Sequence, residues 1–451
     1  MFQINNKSYS PRAGLSLIEI MIAMVMTLIV LGAMMAAFSY GSAEMQRGRA
    51  GIELNNRLIT AEEQLRRDLD RITVQVKPHQ QLPTEPKGYL EIVDGPQTDY
   101  VAANDPAGRL ALGLPAFPHG GDEMVIGDRD DYFACTIKSE GKAFRGRLGN
   151  QIVESHLAEV VWFTVFDPSS VANKVAEGVN PDVLLVRRQL LILPTAAIPA
   201  GLTYDAFLRN NDISVRRTAG GALAPNSLTD LAIRGNRFSH SGFAAPTPAA
   251  SLLEIAQLGA RYNDNHVVVS SVAAFDVQVF DRNASVLLIP DATGTDISDV
   301  AEPADIGARK GSFNSTNFSV VSGAYVDLGK GPVVAGGPPV ALGDFQGISN
   351  GYTFEYNPSS GALTFPPVAP FDLLYETYDT GTSEYNRDTA NDSGANGVDN
   401  DGDGVVDEMN EQDAVAPYNV PIRGLKFTMR VTEPNTKQVR QLTVMKSYSG
   451  Q

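Results

Sequence analysis

The sequence predicts an α+β fold: one long N-terminal helix, with a membrane half and an amphipathic half, packed on antiparallel β-sheet with long loop insertions. Three observations predict it. A run from Leu15 to Tyr40 has Glu19 as its only charge. An apolar stripe at helical spacing follows it as far as Val76. After Pro78 the chain changes to short runs of strand character separated by loops rich in Gly and Pro. A helix followed by a series of strands is the order of α+β proteins, not the alternation of α/β ones.

Residues 1–14 form a short polar leader containing Lys7 and Arg12. About 20 helical residues cross a bilayer core, so the 15–40 run is long enough to span. The basic leader places the N-terminus in the cytoplasm and the remainder outside, by the positive-inside bias. Residues 41–78 continue the helix. Leu54, Leu58, Ala61, Leu65, Leu69, Ile72 and Val76 recur at steps of four and three and make one apolar stripe. Arg57, Glu62, Glu63, Arg66, Arg67, Asp68 and Arg71 are assigned to the opposite, solvated face, where charges of both signs pair locally. Gly41 and Gly51 are weak points. Lys77-Pro78 is the expected stop, because a residue before Pro disfavours the helical region.

Residues 79–194 read as β-rich. Tyr89–Val93 and Asp131–Ile137 are short strands. The dense apolar runs Ala158–Phe166 and Val183–Leu193, separated by the loop Asp167–Asp182, form a hairpin. Both runs are apolar on both faces, which places them centrally with the helix over one side. Residues 195–265 are a loop-rich insertion with one short helix near Leu252–Ala260; that length makes them a partner surface or a partly disordered segment. Residues 266–451 return to strands. Phe275, Val277 and Val279 alternate with Asp276 and Gln278. Residues 290–345 are again loop-rich. Leu425, Phe427, Met429 and Val431 alternate with Lys426, Thr428, Arg430 and Thr432 and open a C-terminal hairpin over 422–447, turning at Pro434-Asn435-Thr436.

The net charge is −16, from 36 Lys and Arg against 52 Asp and Glu. Nucleic-acid binding needs a basic face and is excluded as a function class. The single cysteine, Cys135, rules out an intrachain disulfide and reads as a small core residue. A chain exported without disulfides relies on its core, on metal ions or on neighbours for stability.

A carboxylate this close to the start of a membrane span costs ~2.5–3.5 kcal/mol on insertion scales, so Glu19 needs a purpose. Gly14 followed by Leu15-Ser16-Leu17-Ile18-Glu19 resembles the class III signal of type IV pilins and type II secretion pseudopilins. The family usually has Phe or Met where Leu15 stands. The resemblance implies a cut by prepilin peptidase between Gly14 and Leu15 and N-methylation of Leu15. It implies that Glu19 pairs with the N-terminal amine of a neighbouring subunit in a filament, and a paired carboxylate is what lipid tolerates. A plain signal anchor would not need Glu19. A secretory peptide cut near Gly41-Ser42-Ala43 would have an apolar region longer than the usual ~7–15 residues. The overall plan is most like a large pseudopilin J or a minor pilin of similar design. The family implies an inner-membrane, single-pass subunit whose partners are other pseudopilins or pilins, with the globular part periplasmic or extracellular, and secreted substrate as a further contact. The extra length lies in loops, which suits a minor, tip-type subunit.

Residues 396–413 form an Asp-rich loop. Asp399, Asp401, Asp403, the Val405 carbonyl and Asp407 follow the one-three-five-seven-nine spacing of a calcium loop, with Gly404 at its sharp turn. Asn410 stands where an EF-hand has its bidentate Glu; Glu408 or Glu411 can substitute. No Lys or Arg interrupts Asp388–Asp413, and mutual repulsion among the carboxylates favours a structural calcium ion over a solvated acidic turn. Asp128, Asp130 and Asp131 make a second small acidic cluster, read as a turn before a strand, with a second cation site as the alternative.

The chain lacks a phosphate loop and a paired-His motif, and no enzymatic activity is expected. Ser239-His240-Ser241 are neighbours in sequence, which is not triad geometry.

Overall fold

A computed structural model describes residues 16–76, 87–94, 128–129, 131–167, 182–218, 220–240, 258, 261–290, 297–300, 319–328, 333–334, 344–345, 355–357, 362–364, 377–380, 418, 420–433 and 438–448. The chain divides into two units, residues 1–54 and 55–451. Helix α1, Leu17–Asp70, runs from the first into the second and continues through both Gly41 and Gly51.

Within the second unit the apolar stripe is buried: Leu58, Ala61, Leu65 and Leu69 are at most 3% exposed. On the wet side Arg66 meets Glu62 at 2.8 Å and Arg67 meets Glu63 at 2.9 Å, each one helical turn apart. Two expectations for the helix need correction. It ends at Asp70, before Lys77-Pro78, because Ile72 pairs with Ile137 and Thr73 N–H donates to Thr136 O at 2.9 Å. The chain past Asp70 thus follows a strand and cannot stay helical. Asp68, assigned to the solvated face, is buried. It lies three residues after Leu65, beside the stripe, where Arg187 grips it bidentately at 2.7 Å and Trp162 Nε1 donates to it at 2.9 Å.

The first sheet contains β1 (Leu90–Val93), β2 (Tyr132–Lys138), β5 (Leu157–Phe166), β6 (Val183–Leu191), β9 (Val267–Ser270) and β16 (Thr377–Asp379), in the order β16-β1-β2-β5-β6-β9 with every pair antiparallel. The long apolar runs β5 and β6 are the predicted hairpin, and both lie inside the sheet. A small hairpin, β3 (Phe144–Leu148) and β4 (Gln151–Ser155), was not among the predicted elements. Its signal was Gly149-Asn150 between two alternating runs, and Gly149 takes the left-handed φ of 59° that such a two-residue turn requires. The remaining described strands are β7 (Val215–Arg217), β8 (Leu223–Pro225), β10 (Val272–Pro290), β11 (Ile297–Val300), β12 (Ser319–Val326), β13 (Val333–Val334), β14 (Glu355–Asn357), β15 (Ala362–Thr364), β17 (Gly424–Thr432) and β18 (Val439–Ser447).

The second sheet has the order β11-β10-β17-β18, with β12 also on β10. The chain passes from the first sheet to the second at Ser271, whose φ of 57° turns β9 into β10. The predicted C-terminal hairpin is β17 and β18, paired from Gly424–Ser447 to Thr432–Val439. Leu425, Phe427, Met429 and Val431 point inward, at most 1% exposed. Phe427 stacks edge-on against Phe133 of the first sheet at 5.1 Å.

Register divides the first sheet into two faces, because successive side chains alternate. Ile92, Phe133, Trp162 and Arg187 share one face, which meets the helix and Phe427. Glu91, Asp379, Tyr132 and Phe163 share the other with Glu159 and Arg188. Residues 195–265, read as a loop-rich insertion, contribute ordered structure to this second face. Helix α2, Tyr204–Asn210, is capped by Thr203, whose hydroxyl accepts from Ala206 N–H. Arg237 is fully buried there between Glu91 (3.0 Å) and Asp379, with its guanidinium 4.0 Å over the Tyr89 ring. Arg234 and His240 also reach Glu91, at 2.9 and 2.8 Å. Burial opposes ionisation of Glu91, but His240, Arg234 and Arg237 outweigh it and hold its pKa well below the usual carboxylate range. Glu159, by contrast, is pushed up by burial although Phe238 N–H, the Ser214 hydroxyl and the Tyr89 hydroxyl all donate to it. Of the short helix expected near Leu252–Ala260, only Leu258 is described, and it is buried.

Candidate functional site: the N-terminal helix and a buried carboxylate cluster

The first turn of α1 is closed by its own side chains. Ser16 N–H donates to Glu19 Oε2 at 2.9 Å, and Glu19 N–H donates to Ser16 Oγ at 3.2 Å. This reciprocal pair is a capping box, and it satisfies two amides that the helix itself leaves unpaired. The acidic side chain also complements the positive end of the helix dipole. The local signal for this cap is Ser16 three residues before Glu19, inside the processing motif. A carboxylate offers about four lone-pair sites, so one cap leaves Glu19 able to accept from a further donor. Gly14 and Leu15, the expected cleavage and methylation pair, lie outside the described residues.

Leu17–Gly41 is one apolar helical stretch of 25 residues with none of its length buried in the structure. Large apolar side chains stand open along it, from Leu17 at 77% to Phe38 at 79%. Apolar surface of this extent needs lipid or partner helices. The hydroxyls of Thr27 and Ser39 turn back onto the carbonyls of Ala23 and Ala36 at 2.7 and 2.8 Å, so neither presents an unpaired donor to an apolar surrounding.

The structure brings together a carboxylate group that the sequence showed only in part. Asp94, Asp128 and Asp131 are all buried, and each offers an oxygen within 4.8 Å of the others. Asp94 was missed because it is distant in sequence. The pairing Val93–Tyr132, continued by one residue, sets Asp94 opposite Asp131. Like charges directly opposite in an antiparallel pair are destabilising. Val277 N–H donates to Asp131 Oδ2 at 2.6 Å and Leu328 N–H to Asp94 Oδ2 at 2.6 Å, which fixes both side chains. Oxygen donors of this kind are what calcium and magnesium take. The predicted calcium ligands Asp399, Asp401, Asp403, Val405, Asp407 and Glu408 lie outside the described residues, as does Asp130.

Ser239 and His240 are directed to different partners. Tyr132 donates to Ser239 Oγ at 2.8 Å, while His240 Nε2 faces Glu91. Cys135 is fully buried, and burial pushes its thiol pKa well up.

Residues 9–35 match the prokaryotic N-terminal methylation motif. No curated protein and no solved structure matches the chain. The chain therefore carries a type IV pilin-like prepilin signal, implying processing by prepilin peptidase and assembly with pilins, on an apolar helix that suits a single N-terminal membrane anchor; the signal and helix together fit a type IV pilin or pseudopilin.

Proposed function

We propose that the chain is a structural, minor, tip-type pseudopilin of a type II secretion pseudopilus, inserted in the inner membrane with its N-terminus cytoplasmic and its globular part outside, and without enzymatic activity. The observation that carries the reading is the methylation motif continuing into a helix whose apolar half is wholly exposed. Such a helix is a packing element for membrane and neighbours. The β-rich unit with its long insertions supports a minor position in the filament, open to secreted substrate. Calcium held by Asp399, Asp401, Asp403, Val405, Asp407 and Glu408 is proposed as a structural cofactor that orders the acidic loop before the final hairpin. Glu19 is proposed to keep its own cap while accepting the N-terminal amine of a neighbour.

The test is a pair of measurements. Mass spectrometry of membrane-extracted protein is expected to find an N-methylated Leu15 start. Glu19→Ala is expected to leave that processing intact and to abolish incorporation into filaments; normal secretion by this variant would sink the proposal. The alternative reading, a minor type IV pilin or an adhesin-like module, is favoured by the size of residues 195–265 and 290–345. Under it, deletion of one of those insertions abolishes adhesion and spares secretion.

A further inference from the structure

A polar cleft of about 330 Å³ opens at the edge of the first sheet. It lies where β6 loses its neighbour. β6 pairs with β9 as far as Val186, and Leu191 pairs with Ile213. Between these points no described strand continues the ladder. Arg187, Arg188 and Gln189 of β6 line the gap, with Gln64, Arg145, Asp212 and His266 around it.

The wall is richer in donors than in acceptors. Asp212, its one carboxylate, is already committed: Arg188 Nη1 donates to Oδ1 and Arg147 N–H to Oδ2, both at 2.8 Å. Glu154, the partner of Arg145, is not on the wall; Arg187 is gripped by Asp68, off the wall, and donates to Gln189 Oε1 on it at 3.2 Å. Arg188 is 1% exposed, and its Nε finds no acceptor among the described residues; neither does Gln64 Oε1 find a donor. Native proteins rarely leave such buried groups without a ligand or water. His266 Nδ1 accepts from Asn263 N–H at 3.1 Å, which leaves the proton on Nε2. That N–H faces Asp212 Oδ1 at 3.8 Å, an ion-pair separation longer than a hydrogen bond, so a nearer acceptor can take it. Arg145 is 76% exposed and, among the described residues, is held by half-exposed Glu154 at 2.7 Å. A surface pair like this contributes ~0–1 kcal/mol, so a second carboxylate can displace Glu154 at little cost.

We propose that this cleft binds a carboxylate, received by Arg145 and His266 Nε2–H over the open edge of β6. The carboxylate can be that of a free small acid or of an acidic peptide segment. The inference is independent of the pseudopilin reading, since it rests on the β-rich unit alone.

Titration calorimetry on the full chain in detergent micelles tests it, with succinate and citrate as free acids in one arm and a short Asp- and Glu-containing peptide, blocked at both ends, in the other. Saturable binding below ~1 mM is expected in at least one arm. Response to the free acids assigns a small-molecule site; response to the peptide alone assigns a protein partner. Arg145→Gln is expected to weaken binding about tenfold, ~1.4 kcal/mol, and Glu154→Gln to strengthen it by freeing Arg145. Both positions are surface-exposed, so the fold survives, which far-UV circular dichroism verifies. Absence of binding in both arms, or unchanged binding by both variants, overturns the proposal.

Discussion

The two faces of the first sheet solve the same burial problem with different chemistry. On the helix side, Leu58, Ala61, Leu65 and Leu69 of the helix and Ile92, Phe133 and Trp162 of the sheet are all buried, with one ion pair, Asp68–Arg187, between helix and sheet. On the other side, Arg237 joins Glu91 to Asp379, Arg234 and His240 also reach Glu91, and Glu159 accepts from Phe238 N–H. The first face is stabilised by apolar area removed from water, at about 25 cal/mol per Å². The second is held by charges that are tolerable only together. A buried ion is costly alone, and replacing a whole buried network by apolar groups is often neutral. The lesson is that the polar face fixes which segments meet there: β1, β16 and residues 230–240 are tied through Glu91 and Arg237.

Breaking the network from one side should give the largest effect. Arg237→Ala leaves Glu91 and Asp379 facing each other in the interior and is expected to cost ~3–5 kcal/mol in urea unfolding. A loss under ~1 kcal/mol would mean that this face behaves as a solvated surface, erasing the contrast. On the apolar face, Leu65→Ala is expected to cost ~2–5 kcal/mol according to how far the site collapses, measured by the same unfolding curve.

The smallest effect separates the faces by pH. Glu91 and Asp212 have pKa values held low in the fold, so their contributions are complete above ~4.3 and ~3.9 and fade as pH falls further. His266, pushed down by burial, takes up its proton more readily when unfolded. Its effect is therefore a loss of stability as pH drops below ~6.5. Melting temperature is expected to fall in two stages on acidification. His266→Gln should flatten the stage nearest neutrality, whereas Leu65→Ala should lower the whole curve without changing its shape. An unchanged upper stage in His266→Gln would assign that stage to another group.

Where periodicity carried the information, the fold was legible. The long helix, the β5–β6 hairpin, the alternating part of β10 and the C-terminal hairpin all follow from spacing. Local chemistry also holds two shorter signals: Ser16 before Glu19 for the cap, and Gly149-Asn150 for the small hairpin. The misassignment of Asp68 has a plain cause. Helical spacing puts it beside the stripe, and only a cation from another strand decides whether such a position is wet or buried.

By itself the sequence determined the processing motif, the apolar anchor and the α+β order, because each depends on residues near one another in the chain. Tertiary structure decided what depends on long-range register: Asp94 opposite Asp131, Arg237 between Glu91 and Asp379, and the gap in β6 pairing that opens the carboxylate cleft. Strand pairing joins residues tens to hundreds of positions apart, and no local propensity encodes which strand a charged side chain will face.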